Sequence, residues 1–324
     1  MPGVVHWQRL SFLPAVTWEE WATVGRCTIR APMRAIAAIL VVFVSVTVAA
    51  QDRQPPDAPR PIAMGDSLWA EELTFMEVRD RVRGGTTTII VGTGGVEQNG
   101  PYVAGGKHNY VLQTVLPPIA RAVGNALIAP IVKFVPEGRI EPQDGHMRYA
   151  GTISLEDATF DALLTDICRS YKAHGFIDII LLGDSGGNQA GMERVANALN
   201  RRWASERARV HYLREYYTED QWSDGFLRSQ GITQIDRNPP AGQAADRPSD
   251  WRNGIHDDIY YEAQIAVQDP KLIRTAERQK AGLFTLHGVD LAPVEKLVDL
   301  GRRLAEYRAQ ITARAFDASK KRLR

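Results

Sequence analysis

The run IDIILLGDSGGNQ (residues 177–189) ends an apolar segment on Gly183-Asp184-Ser185-Gly186-Gly187, placing a carboxylate, a hydroxyl and two glycines at one turn. A similar string surrounds the nucleophile of trypsin-like serine proteases. Those enzymes need two antiparallel barrels, whereas here the string closes an apolar run of parallel-strand type and opens a helical one. An esterase of the Gly-Asp-Ser type fits the context better, with Ser185 as nucleophile, His256 as base and Asp257 or Asp258 beside it. The plainest alternative is structural: Gly186 and Gly187 permit a tight turn, and Asp184 or Ser185 caps the next helix.

Three more stretches concentrate groups that could do chemistry. They are GTGGVEQNGPYVAGGKHN (residues 92–109), DGHMRYAGTISL (residues 144–155) and GIHDDIYYEAQIAVQDP (residues 254–270). Together with LLGDSGGNQ, and in this order, they resemble the creatininase family of metal-dependent amidohydrolases. The Glu-Gln-x-Gly-Pro and Ala-Gly-Thr-Ile-Ser-Leu strings are the most specific parts.

The resemblance implies a three-layer α/β/α sandwich with a mainly parallel sheet and a site at the carboxyl ends of the strands. It implies hydrolysis of a cyclic or linear amide in a small molecule by a metal-activated water, with one or two divalent ions, zinc before manganese or iron. Glu97 falls on a ligand glutamate and Glu262 on the glutamate near the start of the late helix. The family's histidine two places after the first glutamate is Asn99 here, its bridging aspartate is His108, and the histidine of its Gly-rich loop is Ser185. Amide and hydroxyl oxygens are weak zinc ligands, so the expected set is Glu97, His108, Asp184 and Glu262. His256 matches the family's proton-transfer histidine, and His146 a position that faces substrate. Asn99, Ser185 and Asn188 then line or organise the substrate loops.

Each of these residues has a bland counterpart. Glu97 before Gly100-Pro101 could be a turn residue, His108 a helix-start side chain, Glu262 a solvated helix face and His146 an ordinary loop histidine. Two rivals to the amidohydrolase therefore stand: a binding protein that kept the fold and lost catalysis, and the serine esterase on Ser185 and His256.

The elements that would position these residues follow from periodicity. Short β-branched runs at residues 86–93, 126–135, 176–183 and 208–217 read as strands, and residues 108–123, 155–173 and 190–202 as the helices between them. Pro117 and Pro118 are expected to bend the first helix or mark a new start. Residues 218–253 form a polar excursion, expected to be a lid or an oligomer contact, and helices at residues 257–267 and 293–315 close the chain.

With 39 basic and 38 acidic residues, the chain has a net charge of +1, which gives no electrostatic reason for a nucleic-acid partner. Residues 33–50 (MRAIAAILVVFVSVTVAA) have the basic start, apolar run and small-residue ending of a secretory signal peptide. The apolar run at residues 35–50 has 16 residues, short of the ~20 of a spanning helix, so no stable membrane insertion is expected after cleavage. The chain is expected to act in the periplasm or outside the cell as a homo-oligomer. Residues 1–32 read as an upstream extension from a misassigned start, 51–66 as a flexible leader and 67–324 as the domain. Cys168, the one cysteine beyond the signal segment, reads as a small core residue.

Overall fold

The computed structural model describes residues 55–218, 220–232, 259–286 and 289–323. The chain divides into two units, Met1–Ala58 and Pro59–Arg324. Of the first, residues 55–58 are described, a turn closed by the Ala58 N–H on the Pro55 carbonyl at 2.9 Å. The signal segment, the upstream extension, His256, Asp257 and Asp258 lie outside the described residues.

The second unit is built on four strands: β1 (Thr88–Thr93), β2 (Ala126–Ile128), β3 (Asp178–Gly183) and β4 (Arg209–Tyr212). They pair in the order β2-β1-β3-β4, and every pairing is parallel. β1 and β3 are buried along their whole length. Their apolar runs lack alternation because both faces are covered.

Helices α1 (Phe75–Arg83), α2 (Lys107–Val123), α3 (Asp157–Ala173) and α4 (Gln189–Arg202) connect or flank these strands. Beyond β4 follow α5 (Glu215–Thr218), α6 (Asp220–Ser229), α7 (Ile259–Gln268), α8 (Thr275–Lys280) and α9 (Val294–Leu323), with a short hairpin of β5 (Thr285–Leu286) and β6 (Val289–Asp290) before α9. Ile90, Ile128, Ile180 and Leu182 on one face pack with Leu112, Leu116, Ile265 and Leu304 of α2, α7 and α9. Ile89, Leu127, Ile179 and Leu181 on the other pack with Phe160, Leu164, Cys168 and Met192 of α3 and α4. The result is the expected α/β/α sandwich, and each fully buried Ile or Leu contributes about 1.5–3 kcal/mol.

Several boundaries differ from those the sequence predicts, for local reasons. α2 runs unbroken through Pro117 and Pro118, because Val115, Leu116 and Ile119, all fully buried, hold it against the core. β2 stops at Ile128, since Pro130 has no N–H for a ladder, and pairing resumes as a single bridge between Thr93 and Val132. β4 ends at Tyr212, and residues 215–218 turn into α5 instead of extending the strand. α9 lies close against α7, where a Cβ on Gly301 would fall 2.0 Å from the Ala263 carbonyl oxygen, so that position needs glycine.

Candidate active site

The chain leaves β1 through α2 towards β2 on one side and leaves β3 through α4 towards β4 on the other. The two crossovers part between the carboxyl ends of β1 and β3, opening the crevice where parallel sheets bind ligands. Glu97 comes from the loop after β1, Lys107 and His108 from the first turn of α2, and Asp184 and Ser185 from the end of β3. Glu137 and His146 come from the long connection between β2 and α3.

These side chains form a continuous polar chain. His108 Nδ1 lies 2.9 Å from Asp184 Oδ2, and its Nε2 lies 2.9 Å from Glu97 Oε1. Glu97 Oε2 in turn stands 3.1 Å from Nε2 of His146. The Lys107 ammonium is 3.4 Å from Glu97 Oε1 and 4.6 Å from the centroid of the Tyr261 ring. Behind Asp184, the Tyr216 hydroxyl donates to Oδ1 at 2.9 Å and Arg308 Nη1 donates to the same oxygen at 3.1 Å. Asp184, Glu97, His108 and Lys107 are buried, whereas 28% of the His146 side chain remains exposed. His146 is thus the end of the chain that meets solvent.

The charge states follow from this packing. Burial alone would lower the His108 imidazole, as would the Lys107 charge, but the Glu97 and Asp184 carboxylates outweigh both and raise it to about 9. At neutral pH both ring nitrogens of His108 therefore donate. Burial, reinforced by the neighbouring Glu97 carboxylate, pushes Glu137 well above the ordinary carboxylate range. Burial lowers His146 against the opposing pull of Glu97, so it is largely neutral at pH 7.

The loops are pinned by amides. Asn188 Nδ2 donates to the Thr93 carbonyl (3.0 Å), the Thr93 hydroxyl (2.9 Å) and the Gly94 carbonyl (2.8 Å), which ties the Gly-rich turn to the end of β1. Asn99 Nδ2 donates to the carbonyls of Glu97 at 3.1 Å and Ala104 at 3.2 Å, closing the loop that aims Glu97. Ser185 Oγ donates to Glu137 Oε2 at 3.3 Å. Gly187 is required there, because a Cβ would meet the Pro136 carbonyl oxygen at 2.1 Å and push Glu137 away.

Of the residues singled out from the sequence, the structure thus brings Glu97, His108, His146 and Asp184 together. It sets Asn99, Ser185 and Asn188 in the surrounding loops. Glu262 is buried on α7, with Oε2 on Arg278 Nη1 at 2.5 Å. Sequence reasoning missed Lys107, Glu137, Tyr216, Arg278 and Arg308. Two of these left a readable signal: Glu137 interrupts the apolar run before Gly138, and Arg308 follows Leu300 and Leu304 on the buried stripe of α9.

A second buried histidine, His211 on β4, lies 3.0 Å from both Asp178 Oδ1 and Ser319 Oγ. Asp178 opens β3, so this group sits at the amino end of the sheet and fastens α9 to it.

The creatininase family model, described as creatinine amidohydrolase, matches residues 71–295, and the chain belongs to this family. The creatinine amidohydrolase of Pseudomonas putida is 27% identical over 119 residues, which are 37% of this chain and 45% of that protein, so the match spans less than half of the relative's length. A solved creatininase variant of Zn-Zn type superposes with a TM-score of 0.53 at 18% identity, over 80% of this chain and 99% of that one. A manganese creatininase superposes with a TM-score of 0.50 at 19% identity, over 79% of this chain and 99% of that one.

Those solved relatives hold divalent ions, and the donors of this chain depart from a two-ion set. The Asn99 Nδ2 group is spent on backbone carbonyls, leaving for a metal an amide oxygen that is a weak ligand, while the Ser185 hydroxyl donates to Glu137 and Glu262 Oε2 meets a guanidinium. A buried ammonium stands against Glu97. Among the described residues no group of three or more His, Cys, Asp or Glu side chains is placed to hold a metal ion. The residues present do not fit the family's metal centre.

Proposed function

We propose that the chain hydrolyses C–N amide bonds, cyclic or linear, in a small molecule, with the Asp184–His108–Glu97–His146 chain as its acid/base centre. One observation carries this reading: a buried, hydrogen-bonded relay ends on a partly exposed imidazole, His146, that Glu97 Oε2 orients from 3.1 Å.

The step balances simply. A water oxygen attacks the amide carbon while neutral His146 takes its proton. The C–N bond then breaks as His146 returns the proton to the departing nitrogen, giving a carboxylic acid and an amine, and the acid's proton passes to the amine to leave a carboxylate and an ammonium. Asp184 and Glu97 hold His108 in one orientation, as the third member of a triad holds its base.

Substitution of His146 tests the assignment, since a partly exposed loop side chain can be changed with little effect on folding. His146→Asn is expected to lower kcat by roughly 10²–10⁴ with KM little altered. Unchanged turnover in that variant would remove His146 from the mechanism.

We further propose export with cleavage after Ala50, in support of which stands the signal grammar of residues 33–50. Self-association is proposed as well. Exposed Phe134, Tyr149 and Ile153, on the same connection as Glu137 and His146, support an interface there.

A further inference from the structure

The donor set that fails to fit a metal contains a cation of its own. Lys107 is 2% exposed and comes from the first turn of α2, one residue before His108. Its ammonium stands 3.4 Å from Glu97 Oε1 and over the Tyr261 ring, at 4.6 Å from the centroid. A buried ammonium is retained only where carboxylates and aromatic faces replace its water, and both are supplied here.

At the other end of the relay, Arg308 Nη1 lies 3.1 Å from Asp184 Oδ1, and its guanidinium carbon 3.6 Å from the centroid of the Tyr216 ring. The two carboxyl groups of the relay, Glu97 and Asp184, are thus each paired with a buried basic side chain. A divalent ion would bring two further positive charges into a region where two buried cations already face the two carboxylates. It would have to displace Lys107 from Glu97, and the displaced ammonium would then need new partners.

We propose that the Lys107 ammonium takes the place of a divalent ion as the charge partner of Glu97, so that the centre assembles and works without a bound metal. Lys107 is a positioning residue: it fixes the charge and the orientation of Glu97, which in turn holds His146. The inference rests on the hydrolase reading for its activity measurement alone, because metal binding is read independently of turnover.

The test uses the purified chain, stripped with a chelator and desalted, then titrated with Zn²⁺ and separately with Mn²⁺ by calorimetry. Melting temperature and bound metal are measured in parallel. The wild-type chain is expected to bind no stoichiometric Zn²⁺ or Mn²⁺, and its melting temperature and any amide hydrolysis should be indifferent to the chelator. One tightly bound equivalent of either ion, with a rise in melting temperature that Glu97→Gln abolishes, would overturn the proposal.

Lys107→Met keeps the length of the side chain and removes the charge. It is expected to bind Zn²⁺ at least about tenfold more tightly than the detection limit that bounds wild type, the size of an ordinary coupling between sites. Lys107→Arg, which keeps the cation, should stay metal-free. Equal Zn²⁺ affinity in wild type and Lys107→Met would count against the proposal, and the wild-type titration decides the matter even where Lys107→Met folds poorly. Absence of amide hydrolysis both with and without added Zn²⁺ or Mn²⁺, in a folded chain that binds neither ion, would sink the hydrolase reading and leave the charge assignment standing, whereas hydrolysis that appears only with added metal would overturn the proposal.

Discussion

Nδ1 of His108 lies 2.9 Å from Oδ2 of Asp184, and through that one contact the first turn of α2 is locked to the carboxyl end of β3. Asp184 also accepts from Tyr216 and Arg308, so a single buried carboxylate serves three elements. Its removal leaves an imidazolium and a guanidinium buried together. Asp184→Ala is expected to lose about 3–5 kcal/mol of stability, the cost of breaking a buried ion pair from one side. Urea denaturation measures this, and a loss typical of a surface pair, under about 1 kcal/mol, would contradict it.

The relay makes stability depend on alkaline pH. His108 is raised from 6.5 to about 9 in the folded chain, so its contribution is fully present below 6.5 and lost as pH rises through about 9. Glu137 is raised as well and contributes with the same sign, because its neutral form is the one the fold favours. Melting temperature should therefore fall between pH 6.5 and pH 9. In Glu137→Gln, which mimics the protonated acid, the fall should be shallower. A wild-type melting temperature that climbs over this interval would refute the assignment.

The Ser185 hydroxyl meets the Glu137 carboxyl group at 3.3 Å, a long hydrogen bond that fits a loop contact better than an activated nucleophile. Ser185→Ala is expected to cost no more than about 1.5 kcal/mol of stability and to leave most of the hydrolysis. Fluorophosphonate probes should leave the chain unlabelled. Labelling at Ser185, with loss of turnover in Ser185→Ala, would restore the esterase.

Much of the fold was legible because the evidence for it is local. Unalternating runs such as Ile89-Ile90-Val91 and Ile179-Ile180-Leu181 announce strands covered on both faces, and the helices between them make those strands parallel. The ends of β2 and β4 and the passage of α2 through two prolines were not legible, because tertiary burial decided them. The site divides in the same way. Glu97, His108, His146 and Asp184 lie in recognisable strings, while Lys107, Glu137, Tyr216, Arg278 and Arg308 gain their roles from contacts across 10 to 124 positions of sequence. The pairing of Glu262 with Arg278 had no sequence signal, since a glutamate early in a helix reads equally well as a ligand or as a favourable charge at the helix start.

Cell fractionation checks the proposed export. The mature chain, beginning after Ala50, is expected in the periplasmic or extracellular fraction, since the apolar run at residues 35–50 has 16 residues against the ~20 of a membrane span. Recovery solely in a salt-washed membrane pellet would show that the run is kept as an anchor.

Amide hydrolysis centred on Glu97 is the central claim, and the most direct measurement compares wild type with Glu97→Gln on a panel of small cyclic and linear amides that includes creatinine. Glu97→Gln keeps the shape of the side chain but removes the charge that orients both His108 and His146. The predicted result is turnover of at least one amide by the wild-type chain, with kcat/KM lower by about 10²–10⁴ in the variant. Equal turnover in both proteins, or no turnover of any amide by the folded wild-type chain, would contradict the account.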